Sequence, residues 1–157
     1  MKALVLVDAA VYVQEEMPAW PLELAQIRRL GPLFARQLGQ NEAFIRQTYL
    51  HPDRISDERM APTTIHTQVE DWDVALWEYL HVWGVDTPDL AARIPDIQQP
   101  ALVITGDSDT VVPVTDSRRL DSELPNSELV ILPPCGHVPH EECPEAFEEA
   151  VETWLSQ

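Results

Sequence analysis

Three apolar runs in the 157-residue chain each lead into titratable side chains, and together these could move a proton. Asp8 follows "LVLV". Asp107 and Asp109 follow "ALVIT" and Gly106. His137 follows "ELVILP" and a short turn. A carboxylate that accepts from one imidazole nitrogen fixes the tautomer. The other nitrogen is then free to take a proton from a nucleophile. The spacing leaves open which carboxylate partners His137. Asp107 reads as a loop-solvating or helix-capping group, His140 as a surface residue, and His51, His66 and His81 as solvated or packed.

For these groups to meet, the runs must be neighbouring parallel strands, because sites in open parallel sheets form just past the carboxyl ends. Leu4 to Val7 reads as a strand covered on both faces. In residues 96–157, "ALVIT" is followed by the polar loop "GDSDTVVP", a helix over "VTDSRRLDSEL", a strand over "ELVILP" and a loop. A last helix opens with Pro144 in its first turn and is expected to bury a stripe of Phe147, Val151, Trp154 and Leu155. Strand–helix–strand–helix at this length predicts parallel strands with right-handed crossovers. Residues 17–95 are helical in pattern. Leu22 to Leu38 carries a wide apolar stripe with an expected break at Gly31-Pro32. Asn41 and Ser56 read as N-caps of "EAFIRQTYL" and "DERMA", and one long helix is expected over "TIHTQVEDWDVALWEYLHVW". Trp20, Trp72, Trp77 and Trp83 read as packing between these helices, or as the underside of a lid over a substrate cavity.

The segments "PALVITGDSDTVVP" and "ELVILPPCGHVPHEECPEAF" resemble the last two strand–loop units of the α/β-hydrolase fold. The matching positions are Gly106, Asp109, Pro113, Gly136, His137, Glu142 and Pro144. "KALVLVDAA" resembles the sixth strand of the same sheet. The resemblance implies an α/β architecture, namely the C-terminal part of an α/β-hydrolase fold (strands six to eight). Residues 1–16 and 96–157 would form its core, and 17–95 a helical cap. Asp109 matches the family's catalytic acid and His137 its base. Asp8 is the alternative acid, since some members place the acid after the sixth strand. The implied activity is serine-type hydrolysis of a small, fairly apolar substrate at an ester, amide, carbon–carbon or carbon–halogen bond, without a cofactor. In the carbon–halogen case the nucleophile would be an aspartate.

The family's nucleophile lies in Gly-x-Ser-x-Gly, and no serine of this chain stands between glycines. The nucleophile and the oxyanion loop are therefore expected upstream of Met1, through truncation, a miscalled start or a split protein. The chain alone is expected to be inactive. The alternative is a non-catalytic remnant that binds a small molecule or a partner. The free edge of "ALVLVD" is expected to drive self-association or pairing with an N-terminal half.

A net charge of −17 disfavours nucleic acid and anionic membrane surfaces as partners. No apolar stretch approaches the roughly 20 residues of a membrane span, and the start does not read as a signal peptide. The five glycines assemble no phosphate loop. Cys135 and Cys143 lack further ligands at metal-site spacing. As two thiols without a framework they suggest a reducing, cytoplasmic setting.

Overall fold

A computed structural model describes residues 2–12 and 20–157, with side chains described at all of these but 85–89. The strands are β1 (Leu4–Val7), β2 (Ala101–Gly106) and β3 (Ser127–Leu132). The helices are α1 (Ala25–Gly39), α2 (Glu42–Arg46), α3 (Asp57–Thr63), α4 (Trp72–Ala91), α5 (Val114–Glu123), α6 (Pro139–Glu142) and α7 (Pro144–Leu155). Two compact units emerge. One comprises Met1–Val11, Thr48–Leu50 and Ala91–Gln157. The other comprises Tyr12–Gln47 and His51–Leu90. The expected boundary between residues 16 and 17 lies outside the described residues.

In the first unit the strands pair in parallel in the order β1-β2-β3. Val7 stands opposite Ile104, and Gly106 opposite Leu132. Every residue of β2 is buried, as its unbroken apolar run demands of a central strand. Leu102 and Ile104 join Leu132 and Cys135 in a core that α7 covers with Phe147, Ala150, Val151 and Trp154, while Leu155, expected in that stripe, is 66% exposed at the helix end. Helix α5 lies against β2 and β3 through its buried Ser117 and Leu120. The expected cover on both faces of β1 does not hold, for Val5 is 43% exposed. Among the described residues β1 has a neighbour on one side only.

The second unit is helical and differs from expectation in α1, in α4 and in α2, which stops at Arg46 instead of running on to Leu50. Helix α1 runs unbroken through Pro32. Gly31 is buried there, and a Cβ on it would sit 2.0 Å from the Trp77 ring, so the indole lies where a side chain would be. The long helix begins at Trp72 rather than Thr64. Asp71 takes φ 55°, a left-handed value that aspartate tolerates and that stops a helix. Ile65–Gln68 form a single 3-10 turn before it, with Ile65 and Val69 exposed. Both expected caps form. Asn41 Oδ1 accepts from Phe44 N at 3.2 Å, and Ser56 Oγ from Arg59 N at 3.2 Å. The Arg36 guanidinium holds Asp73 Oδ2 with Nε at 2.9 Å and Nη2 at 2.7 Å.

The cysteines read as free thiols are joined as a Cys135–Cys143 disulfide. Eight residues of separation gave no sign of this. No described helix is long and apolar enough to cross a membrane.

Candidate functional site: an Asp–His pair at the strand ends

The site is built where β1, β2 and β3 end. β2 closes on Gly106, and a Cβ there would lie 2.2 Å from the carbonyl oxygens of Cys135 and Gly136. Only glycine lets the loop after β3 pass this close over the end of β2. Two backbone bonds fasten that crossing: Asp107 N donates to Leu132 O at 3.1 Å, and Ser108 N to Cys135 O at 3.0 Å. The loop after β2 and the loop bearing His137 are thereby held side by side.

Asp109 sits in the first of these loops. Its Oδ1 accepts from Val111 N at 2.7 Å and Val112 N at 3.0 Å, which fixes the carboxylate plane. Its Oδ2 lies 3.0 Å from His137 Nδ1. The Asp109 side chain is fully covered, while that of His137 is 24% exposed. With Nδ1–H donating to the carboxylate, Nε2 is the nitrogen left to exchange a proton. Burial alone raises the Asp109 carboxyl. The His137 hydrogen bond and the two backbone N–H donors outweigh it and hold the group below its ordinary range. The bond to Asp109 raises the imidazole above its usual value against the effect of burial, and the charges of Asp109, Asp8 and Glu142 add to the rise.

Asp8 reaches the same place from β1. It takes φ 42°, and its Oδ1 accepts from Gly106 N at 3.2 Å. Burial, with the nearby Asp109 charge, pushes its carboxyl up to about 7. One atom each of Asp8, Asp109 and His137 lie within 4.8 Å of one another. This trio is what a cation would need, although the Asp109–His137 hydrogen bond already engages two of its atoms. Three of the four residues singled out from the strand ends therefore meet. Asp107 does not join them; it is exposed and accepts from Ser108 Oγ at 2.8 Å. His140 lies on α6, its ring 5.9 Å from that of Phe147.

The histidine loop has a brace that the sequence did not announce. Glu142 Oε1 accepts from Gly136 N at 3.1 Å, and Oε2 from Leu50 N at 2.8 Å. His137 N donates to Thr48 O at 3.1 Å, and Tyr49 Oη to Glu141 Oε2 at 2.5 Å. Glu142 was visible as part of a Glu-x-Pro pattern. No periodicity marks Thr48–Leu50, which reads as the tail of a helix.

Comparison with known proteins bears on the family and the fold. The model of the alpha/beta hydrolase family matches residues 1–150. A pimeloyl-[acyl-carrier protein] methyl ester esterase from Nitrosomonas europaea is 36% identical over 63 residues, 40% of this chain and 25% of that protein. A 2-hydroxy-6-oxononadienedioate/2-hydroxy-6-oxononatrienedioate hydrolase from Pseudomonas putida is 37% identical over 68 residues, 43% of this chain and 24% of that protein. The matched stretch thus spans about a quarter of either curated relative. Among solved structures, a hydrolase from Pseudomonas aeruginosa superposes with a TM-score of 0.71 at 21% identity, over 99% of this chain and 56% of that one. The enol-lactonase from Burkholderia xenovorans superposes at 0.68 and 19% identity, over 100% of this chain and 57% of that one. Identities this low speak for the fold alone.

Proposed function

Because the chain belongs to the alpha/beta hydrolase family and has a partial form of its fold, we propose that Asp109 and His137 are the acid–base half of a hydrolase for small, fairly apolar esters or related substrates. The observation that carries this reading is the 3.0 Å contact of His137 Nδ1 with Asp109 Oδ2, between loops fastened to adjacent parallel strands. Asp109 orients the ring. His137 Nε2 takes the proton of a nucleophile, gives it to the leaving group, and then serves the water that ends the cycle. The nucleophile comes from outside these 157 residues, since no Gly-x-Ser-x-Gly is among them. The oxyanion donors come from the same source. The helical unit serves as the cap, and the substrate is a small molecule, as the activities of the similar esterase and enol-lactonase suggest.

Among the described residues β1 is paired on one side only, which favours association through its other edge, with a second copy or with an N-terminal half. The cytoplasmic setting is not carried into this reading, because the disulfide removes the thiols on which it stood.

The test is turnover of p-nitrophenyl butyrate in two arms. The chain alone is expected to show no His137-dependent hydrolysis. A fusion placing a Gly-x-Ser-x-Gly hydrolase segment ahead of Met1 is expected to hydrolyse the ester. Replacing His137 by Ala in the fusion should lower kcat by about 1,000-fold or more. A folded fusion whose turnover ignores His137→Ala, or has no turnover, overturns the proposal and favours a non-catalytic binding module.

A further inference from the structure

Asp8 is the group at the strand ends to which the acid–base reading gives no task. It is 5% exposed. Its Oδ1 is occupied by Gly106 N. Its Oδ2 is buried and has no hydrogen-bond partner among the described residues. The Thr105 hydroxyl, next to it on β2 and 3.4 Å from the Gly106 carbonyl, pulls the Asp8 carboxyl down, but less than burial raises it. A buried carboxylate so sparsely supplied with donors is unfavourable, and a second negative charge beside an ionised Asp109, one atom of each lying within 4.8 Å, adds to the cost. One proton removes both difficulties. Asp109 already receives three N–H donors, from Val111, Val112 and His137. It is the better-held anion, so the proton belongs on Asp8.

We propose that Asp8 is a positioning residue that keeps its proton while Asp109 is ionised and donates its O–H to the Asp109 carboxylate as a fourth hydrogen bond. This deepens the reading of Asp109 and His137 as an acid–base pair and rests on it. With Asp8 neutral, Asp109 chiefly sets how strongly the imidazole holds its proton, against burial and with a smaller contribution from Glu142. When Asp8 ionises, a second negative charge faces the ring and His137 becomes more basic. The groups facing this cluster are Asp8 from the end of β1, Thr105 from β2, Asp109 from the next loop, His137 from the loop after β3 and Glu142 from α6. Glu142 is committed to the Gly136 and Leu50 N–H groups. Asp8 is therefore the neighbour whose change of charge His137 should register. Its titration lies close to neutrality, at about 7.

Asp8→Asn is a discriminating variant. Asparagine tolerates the positive φ of this position, its Oδ1 can still accept from Gly106 N, and its amide can still donate toward Asp109 without ionising. The experiment is a titration of the full chain, with 15N-labelled histidine, from about pH 4 to about pH 9. Both ring nitrogens of His137 are followed, with His137→Ala to assign them. The native chain should show two inflections at His137, one of them from Asp8. Asp8→Asn should show one, with its midpoint lower by about 1 unit, and should keep the Nδ1 signature of the Asp109 bond.

An unchanged midpoint and slope in Asp8→Asn overturns the proposal. So does loss of the Nδ1 signature, which would make Asp8 a purely structural support. Two-step behaviour that appears only with added Zn2+ and vanishes with EDTA also overturns it, by placing a cation where the proton was assigned. The readout needs no turnover. A failed fusion assay therefore leaves the titration standing, and a failed titration leaves the hydrolase reading standing.

Discussion

The sheet unit and the helical unit solve the same packing problem with different materials. In the sheet unit, β2 is buried along its whole length, and the loops beyond it are tied backbone to backbone. In the helical unit, the close contacts put small residues against indoles: Gly31 against Trp77, and Gly39 against Trp72. Helix α1 meanwhile leaves Leu30, Leu33 and Phe34 about 60% exposed. A backbone obstacle cannot turn aside, whereas an indole can tilt. The chemistry-bearing groups lie in the part that cannot yield, as an acid–base pair sensitive to sub-ångström displacement requires.

The contrast predicts a ranking of substitutions. Gly106→Ala should cost the most, about 4 kcal/mol in urea unfolding, because its Cβ meets two carbonyl oxygens that are fixed in place. A loss under about 1 kcal/mol would mean that the sheet unit gives way after all.

Asp8→Asn should come next, and its effect should depend on pH. A carboxyl raised by burial to about 7 makes the native chain lose stability as pH climbs from the unfolded value of 3.8 through about 7. The asparagine variant escapes that loss, so it should be level with the native chain in acid and ahead of it at neutral pH by up to about 3 kcal/mol. The neighbouring pair acts in opposite senses. His137, raised, contributes stability that is full below 6.5 and fades as pH rises through its folded value. Asp109, lowered, contributes above 3.8 and fades as pH falls through its folded value. Unfolding curves collected across pH for Asp8→Asn and Asp109→Asn separate these contributions.

Gly31→Ala should cost about 2 kcal/mol, less than Gly106→Ala. The Trp77 ring must move, yet it can, and alanine favours the helix by about 1 kcal/mol. Tryptophan fluorescence should shift with it; an equal cost at the two glycines would erase the distinction between the units. Asn41→Ala should be the mildest, about 1 kcal/mol, from loss of the cap on Phe44 N. Thermal unfolding would register it as a small drop in midpoint.

What could be read in advance divides along the same line. Strands β2 and β3 and helices α5 and α7 were legible because a long apolar run or a 3.6-residue stripe is set by the burial of many residues at once. The meeting of Asp8, Asp109 and His137 followed from the same logic, each standing at the end of such a run. The start of α4 turned on one left-handed residue, Asp71, and the continuity of α1 on whether Trp77 fills the space beside Gly31. Such single-residue matters leave no periodic trace. The Cys135–Cys143 pairing and the bonds of Thr48–Leu50 to the histidine loop are tertiary facts, and no local pattern encodes them.

The return of Thr48–Leu50 to the sheet unit has a bearing on how this architecture can be re-engineered or reshuffled. An insert entered once and left once can be cut out and replaced like a cassette. Here the polypeptide re-enters midway, for three residues, and there it meets the peptide groups of Gly136 and His137 through Glu142 and Thr48. Swapping residues 12–90 wholesale for a foreign helical segment would strip those anchors from the histidine. A graft that respects the fold must be made in two pieces, on either side of the native tripeptide.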